Sequence, residues 1–137
     1  MKLQVNTTLA LYSVLEFAAD PERHIPAAEI AEKYDVSPHH LAKVLAELAR
    51  AGIVESVRGV GGGYRFTANV RRLTLMDVIQ LFEETATGNR RDVARTPVDH
   101  ALDTVLAEID QIASATFSSI TIATMLQLVA RQNGGKR

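Results

Sequence analysis

Cysteine is absent from this 137-residue chain. That excludes disulfides, thiol redox switches and clusters held by cysteine thiolates. Tryptophan is absent too, and aromatic residues make up only 5% of the sequence. A core must therefore be built from Leu, Val, Ile and Ala, a composition that suits helices. No apolar run approaches the ~20 residues that span a bilayer, and the N-terminus lacks a signal-peptide pattern. A soluble cytoplasmic protein is the expectation. Internal repeats and low-complexity tracts are missing as well. Neither sign of charge prevails, with a formal net charge of −1. Hydrophobic content of 47% argues against disorder and for a packed core. The length fits one domain, or one small domain with an oligomerisation element.

What the chain does have is concentrated between Ser37 and Tyr64. Ser37 reads as a helix N-cap with Pro38 at the first helical position. Leu41, Val44, Leu45 and Leu48 then form an apolar stripe at helical spacing, while His39, His40, Lys43, Glu47 and Arg50 face outward. Ala51-Gly52 ends the helix, Gly52 serving as a left-handed cap. Ile53 to Val57 alternates as a half-buried strand does, Gly59 to Gly63 turns, and Tyr64 to Thr67 alternates again. Residues 37–72 carry six basic side chains against Glu47 and Glu55, whereas residues 73–137 carry six basic against eight acidic. The positive excess thus sits on one helix and one hairpin, the distribution a DNA reader needs even when its net charge is near zero.

The flanking segments read as helices. One runs from about Thr7 to Ala19, with Leu9, Tyr12, Leu15 and Phe17 on a broad buried face, and stops at Asp20-Pro21. A second, from Pro26 to Tyr34, places Ala27, Ile30, Ala31 and Tyr34 on one face. A fourth helix starts at Thr74 as N-cap, with Asp77 positioned for a capping box, and extends to about Thr85. Residues 86–97 are polar and read as a loop. A long helix from about Val98 to Phe117 carries Leu102, Val105, Leu106, Ile109 and Ile112 in a continuous stripe. A closing helix covers about Ile122 to Gln132.

Helix two, a tight turn and helix three make a helix-turn-helix; followed by strand, glycine turn and strand, they make a winged one. The fold expected is mainly α with a small two-stranded β wing, the winged helix-turn-helix domain occupying 1–85, a loop 86–97, and a dimerisation helix with its closing helix 98–137. Rival readings of the glycine turn fit worse. A phosphate-binding loop needs Lys and then Ser or Thr after its last glycine, where Tyr64 and Arg65 stand. The dinucleotide fingerprint needs a strand-to-helix context that is missing. No zinc-ligand spacing frames His39 and His40, and no nucleophile elbow or catalytic constellation is present. His39 and His40 instead lie in the first turn of helix three, where base-edge and phosphate contacts are made. Arg58 and Arg65 are placed to meet phosphate or a narrow minor groove. The stripe of the long helix has either intramolecular packing on helix one or a two-fold seam between two copies as its outlet; the seam is preferred, because two linked half-sites raise affinity.

The run V-S-P-H-H-L-A-K-V-L-A-E-L-A-R-A-G-I-V-E-S-V-R-G-V-G-G-G-Y-R-F, with L-T-L-M-D-V-I-Q-L-F-E after it and I-T-I-A-T-M-L near the end, resembles the Rrf2 family of bacterial winged-helix transcription regulators. The resemblance covers nearly the whole chain. It implies a homodimer joined by the long helix that binds a dyad-symmetric operator on double-stranded DNA, usually as a repressor. Ser37, His39, His40 and Lys43 match recognition-helix positions, and Arg58 to Gly63 match the wing, with Arg58 the residue for minor-groove contact. Lys2 lies in the N-terminal segment that approaches the backbone. The expected DNA-binding set is Lys2, Ser37, Pro38, His39, His40, Lys43, Arg58, Gly59, Gly61, Gly62, Gly63, Tyr64 and Arg65. The expected dimer set is Leu102, Val105, Leu106, Ile109 and Ile112. Cluster-binding relatives place three cysteines in the loop after helix four, where this chain reads T-A-T-G-N-R-R-D-V-A-R-T-P, so a cluster-free member without cofactor or metal is expected. Arg90, Arg91 and Arg95 are candidates for an anionic effector there, or for solvating the loop or touching phosphate. The alternative reading is a protein-interaction module on a winged-helix fold, or a regulator controlled by a small molecule or a protein partner.

Overall fold

The computed structural model describes residues 3–83 and 96–134. Helix α1 (Val5–Ala19) begins two residues earlier than the sequence pattern suggests. Its Gln4 N-cap has no side-chain cap of its own. The Gln4 backbone N–H donates instead to Glu83 Oε2 at 2.8 Å, and the buried Thr7 hydroxyl donates to the same carboxylate oxygen. A distant carboxylate thus satisfies donors that the first helical turn leaves free. Leu9, Val14 and Phe17 are buried. Tyr12 is not part of that core, contrary to the periodicity: it stays 41% exposed and stacks on Tyr34 with ring centroids 4.6 Å apart.

Helices α2 (Ala27–Lys33) and α3 (Pro38–Arg50) form the helix-turn-helix. Asp35 bridges them with φ of 53°, an αL residue of the kind Asp tolerates in turns. Ser37 caps α3 by accepting from the His40 backbone N–H at 3.3 Å, with Pro38 at the helix start. The stripe Leu41, Val44, Leu45 and Leu48 is buried to 1% exposure or less. Gly52 takes φ of 79° just past the helix end, where a Cβ would be strained.

Strands β1 (Val54–Val57) and β2 (Gly63–Phe66) pair antiparallel, Val54 opposite Phe66 and Val57 opposite Gly63. Ile25 adds a one-residue bridge to Tyr64, exchanging both backbone hydrogen bonds at 2.8 and 2.9 Å. This approach explains Gly63: a Cβ there would lie 2.6 Å from the Ile25 carbonyl carbon.

Helix α4 (Leu75–Ile79) starts as expected, with a complete Thr74–Asp77 capping box. It is shorter than the pattern suggests. After Ile79 the chain tightens: the Leu81 and Phe82 N–H groups donate to carbonyls three residues back, Val78 and Ile79, both at 3.1 Å. The chain then presents Glu83 to the start of α1, which a continued helix would not require.

Helix α5 (Pro97–Ser118) is the longest, at 22 residues, and opens with a second capping box, Thr96 with Asp99. Pro97, assigned to the loop from sequence, is its first residue. Not one residue of α5 is buried. The chain rejoins the winged unit at the end of α5: Phe117 packs against the core, Ile122 is fully buried with its N–H bonded to the Leu73 carbonyl at 2.8 Å, and Leu75 N–H donates to Ile120 O at 2.9 Å. Helix α6 (Ile122–Gly134) then packs on α1. Among the described residues no helix is long and apolar enough to cross a membrane.

Candidate nucleic-acid interface

With its apolar stripe buried, α3 leaves Pro38, His39, His40, Lys43 and Arg50 exposed. These residues do not stand equally free. The Ser37 hydroxyl is engaged as the helix cap. His40 Nε2 donates to Asn6 Oδ1 at the start of α1, which ties the first turn of the exposed helix to a second element. Arg50 is paired with Glu47. His39 and Lys43 have no ion-pair or side-chain hydrogen-bond partner among the described residues.

In the wing, Arg58 follows β1 directly and is exposed, also without an ion-pair partner among the described residues. Arg65 is held differently, its Nη2 lying 2.5 Å from Glu55 Oε1 across the strand pair. Gly59 and Gly61 take left-handed φ of 104° and 76°, which lets the tip turn without side-chain bulk; the Gly62 N–H closes it on the Gly59 carbonyl at 2.9 Å. Tyr64 turns inward: half-buried, its ring lies 6.2 Å from that of Phe17. It braces the wing stem against the core.

The cations of α3 and the wing therefore fall into two sorts. Among the described residues Lys43 and Arg58 have no ion-pair partner, while Arg50 and Arg65 are each paired with a neighbouring glutamate. Lys2, Arg90, Arg91 and Arg95 lie outside the described residues, as does most of the predicted 86–97 loop. Pattern reading missed Asn6 and Glu83, because each acts across more than thirty residues of sequence on another element. No local signal marks either.

This arrangement, a capped helix of the helix-turn-helix followed by an arginine-flanked glycine hairpin, defines a winged helix-turn-helix protein of the DNA-binding class. The comparisons with known proteins narrow it. Residues 3–128 match the Rrf2 family, described as an iron-dependent transcriptional regulator. A Rhodopseudomonas palustris protein named as the HTH-type transcriptional regulator BadM is 48% identical over 133 residues, 94% of this chain and 83% of its own. Among solved structures, T. potens IscR superposes with a TM-score of 0.76 at 25% identity, covering 94% of this chain and 88% of that one. CymR, the global cysteine regulator of B. subtilis, shares the fold with a TM-score of 0.73 at 23% identity, over 93% of this chain and 98% of its own. The chain belongs to the Rrf2 family: it is a winged helix-turn-helix transcription regulator and not an enzyme.

The iron dependence in the family's description does not suit this member's residues. The chain has no cysteine thiolate to hold a cluster. Among the described residues no group of three or more His, Asp and Glu side chains is arranged to hold a metal ion.

Proposed function

We propose that the protein is a homodimeric cytoplasmic repressor that binds a dyad-symmetric operator and responds to a signal other than an iron–sulfur cluster. Residues 1–85 form the DNA-binding unit and 98–137 the dimerising and closing helices. In each subunit the first turns of α3 enter the major groove, Ser37 to Lys43 lying nearest the bases. The wing reaches the flanking minor groove with Arg58 foremost, and Gly59 to Gly63 let its backbone come close. Arg65, held by Glu55, contributes from the wing stem. The observation that carries this reading is that two cations without an ion-pair partner among the described residues, Lys43 and Arg58, stand on the exposed helix and at the wing in a chain of this family.

The dimer is supported by α5. Leu102, Val105, Ile109 and Ile112 are 51–68% exposed and Leu106 is half-buried. A stripe this bare on one chain suits a two-fold partner. The test is a fluorescence anisotropy titration of DNA from upstream of the protein's own gene, at several salt concentrations, with light scattering of the complex. A steep salt dependence and two subunits per site are expected. Equal affinity for unrelated DNA, or one subunit per site, would reject the reading.

A further inference from the structure

A cleft of about 580 Å³ opens beside the exposed face of α3, between it, the start of α1 and the turns that follow α4. Its size lies in the range usual for small-molecule sites. The buried Val44 and the half-buried Leu81 and Phe82 supply apolar wall. Lys43, Asn6 and the Glu47–Arg50 ion pair supply the polar side. Because Glu47 neutralises Arg50, the charge left over in the cleft is the Lys43 ammonium.

We infer that this cleft binds a small organic monocarboxylate with an apolar tail, and that its occupation weakens DNA binding. The tail would lie on Leu81 and Phe82 and the carboxylate would pair with Lys43. An inorganic anion or a bare phosphate would leave the apolar wall unused. The regulatory half rests on the proposed reading of α3, since Lys43 belongs both to the cleft and to the DNA-facing set. A carboxylate on Lys43 removes one cation from the duplex, and Asn6, hydrogen-bonded to His40, lies at the same rim. Thermodynamic reciprocity then requires DNA to weaken the acid's binding by the same factor. This assigns the effector to the cleft beside Lys43 rather than to Arg90, Arg91 and Arg95, which lie outside the described residues.

The test exploits the absence of tryptophan from the chain. Phe82→Trp puts a single indole in the cleft wall. Octanoate and 4-phenylbutyrate are titrated against it at fixed ionic strength, with 1-octanol as the uncharged comparator. Isothermal calorimetry on the unsubstituted protein gives the same affinities without relying on the variant's fold. Saturable binding of at least one acid is expected, with 1-octanol weaker. Adding Lys43→Gln should lower the acid's affinity about tenfold, the scale of one lost charge-assisted hydrogen bond. Ala46→Glu, which adds a like charge to the cleft lining, should also lower the acid's affinity. A saturating acid should weaken operator binding about tenfold, within the range usual for coupled sites. Failure of both acids to bind, or binding indifferent to Lys43→Gln, overturns the site. Binding at the cleft without any change in operator affinity overturns the regulation. If the acid binds as expected while no DNA is bound specifically in any state, the proposed function falls and the site stands.

Discussion

Helices α3 and α5 both carry apolar stripes, and the two stripes meet opposite fates. In α3 the four stripe residues are buried to 1% or less; in α5, almost twice as long, no residue is buried and four stripe residues are more than half exposed. Periodicity reports that a face must be covered and not by what. What separates them is where the neighbouring chain goes. α3 is flanked by short connections that fold α1, α2 and β1 back over it, whereas α5 touches the core only near its end, around Phe117 to Ile122. One stripe is consumed in folding; the other stays exposed, the face the proposed dimer would use.

The strongest way to break that contrast is to truncate each stripe in turn. Leu45→Ala removes a fully buried side chain and should cost about 2–5 kcal/mol of stability, read from urea unfolding. Ile109→Ala should leave the isolated subunit within about 0.5 kcal/mol of the parent at protein concentrations where it is monomeric. If the two losses were equal, α5 would be packed within the chain and the contrast would be wrong.

Charging the bare stripe sharpens the comparison from the other side. Val105→Glu with Ile109→Glu should convert the dimer to monomers by light scattering while circular dichroism stays helical. Operator affinity should then fall about a hundredfold or more, since linked half-sites are lost. A double variant that remains dimeric would reject the seam.

How much of this was legible in the sequence depends on range. The Ser37 cap, the Thr74–Asp77 capping box, the α3 stripe and the glycine hairpin are each written within a few residues, and each stands where the pattern put it. The early end of α4 was not legible. It follows from Glu83 satisfying Gln4 and Thr7, 79 and 76 residues away. For the same reason the inward turn of Tyr64 onto Phe17 and the bond between His40 and Asn6 escaped notice. At the candidate site, residue types pointed to the helix and wing. Which cations of the helix and wing lack an ion-pair partner among the described residues, Lys43 and Arg58, and which are paired, Arg50 and Arg65, depends on contacts that only the folded chain supplies.

That distinction gives a mid-sized prediction on the exposed side of α3 and the wing. Arg58→Ala should weaken operator binding by about 1–3 kcal/mol, and Arg65→Ala should do less, because Glu55 already holds Arg65. Thermal melting of both variants should stay near that of the parent. Equal losses for the two arginines would mean that the Glu55 pair opens on DNA and that the free-versus-paired sorting has no functional weight.

The smallest effect expected lies behind α3, in the contacts that prop the helix-turn-helix against α1. Glu16 Oε1 accepts hydrogen bonds from Lys33 Nζ and the Tyr34 hydroxyl, both at 2.5 Å. Partial burial pushes the Glu16 carboxyl up, but the Lys33 and Tyr34 hydrogen bonds with the Lys33 charge outweigh it, so its pKa ends below the usual carboxylate range. A carboxyl whose folded pKa is depressed adds stability above its unfolded pKa, about 4.3 for Glu. That stability is lost as pH falls through the lower folded value. Tyr34 is the mirror case: burial, and then Glu16, hold its phenol well above the ordinary value. Its contribution is complete below about pH 10 and fades only as pH rises through the raised folded value. Glu16→Gln should therefore lower the melting temperature by a few degrees at pH 7, and the deficit should shrink as the pH falls through the depressed folded pKa. Tyr34→Phe should converge only in strong alkali. A Glu16→Gln deficit that does not shrink anywhere on the acid side would show that packing, not the carboxylate's charge, holds α2 to α1.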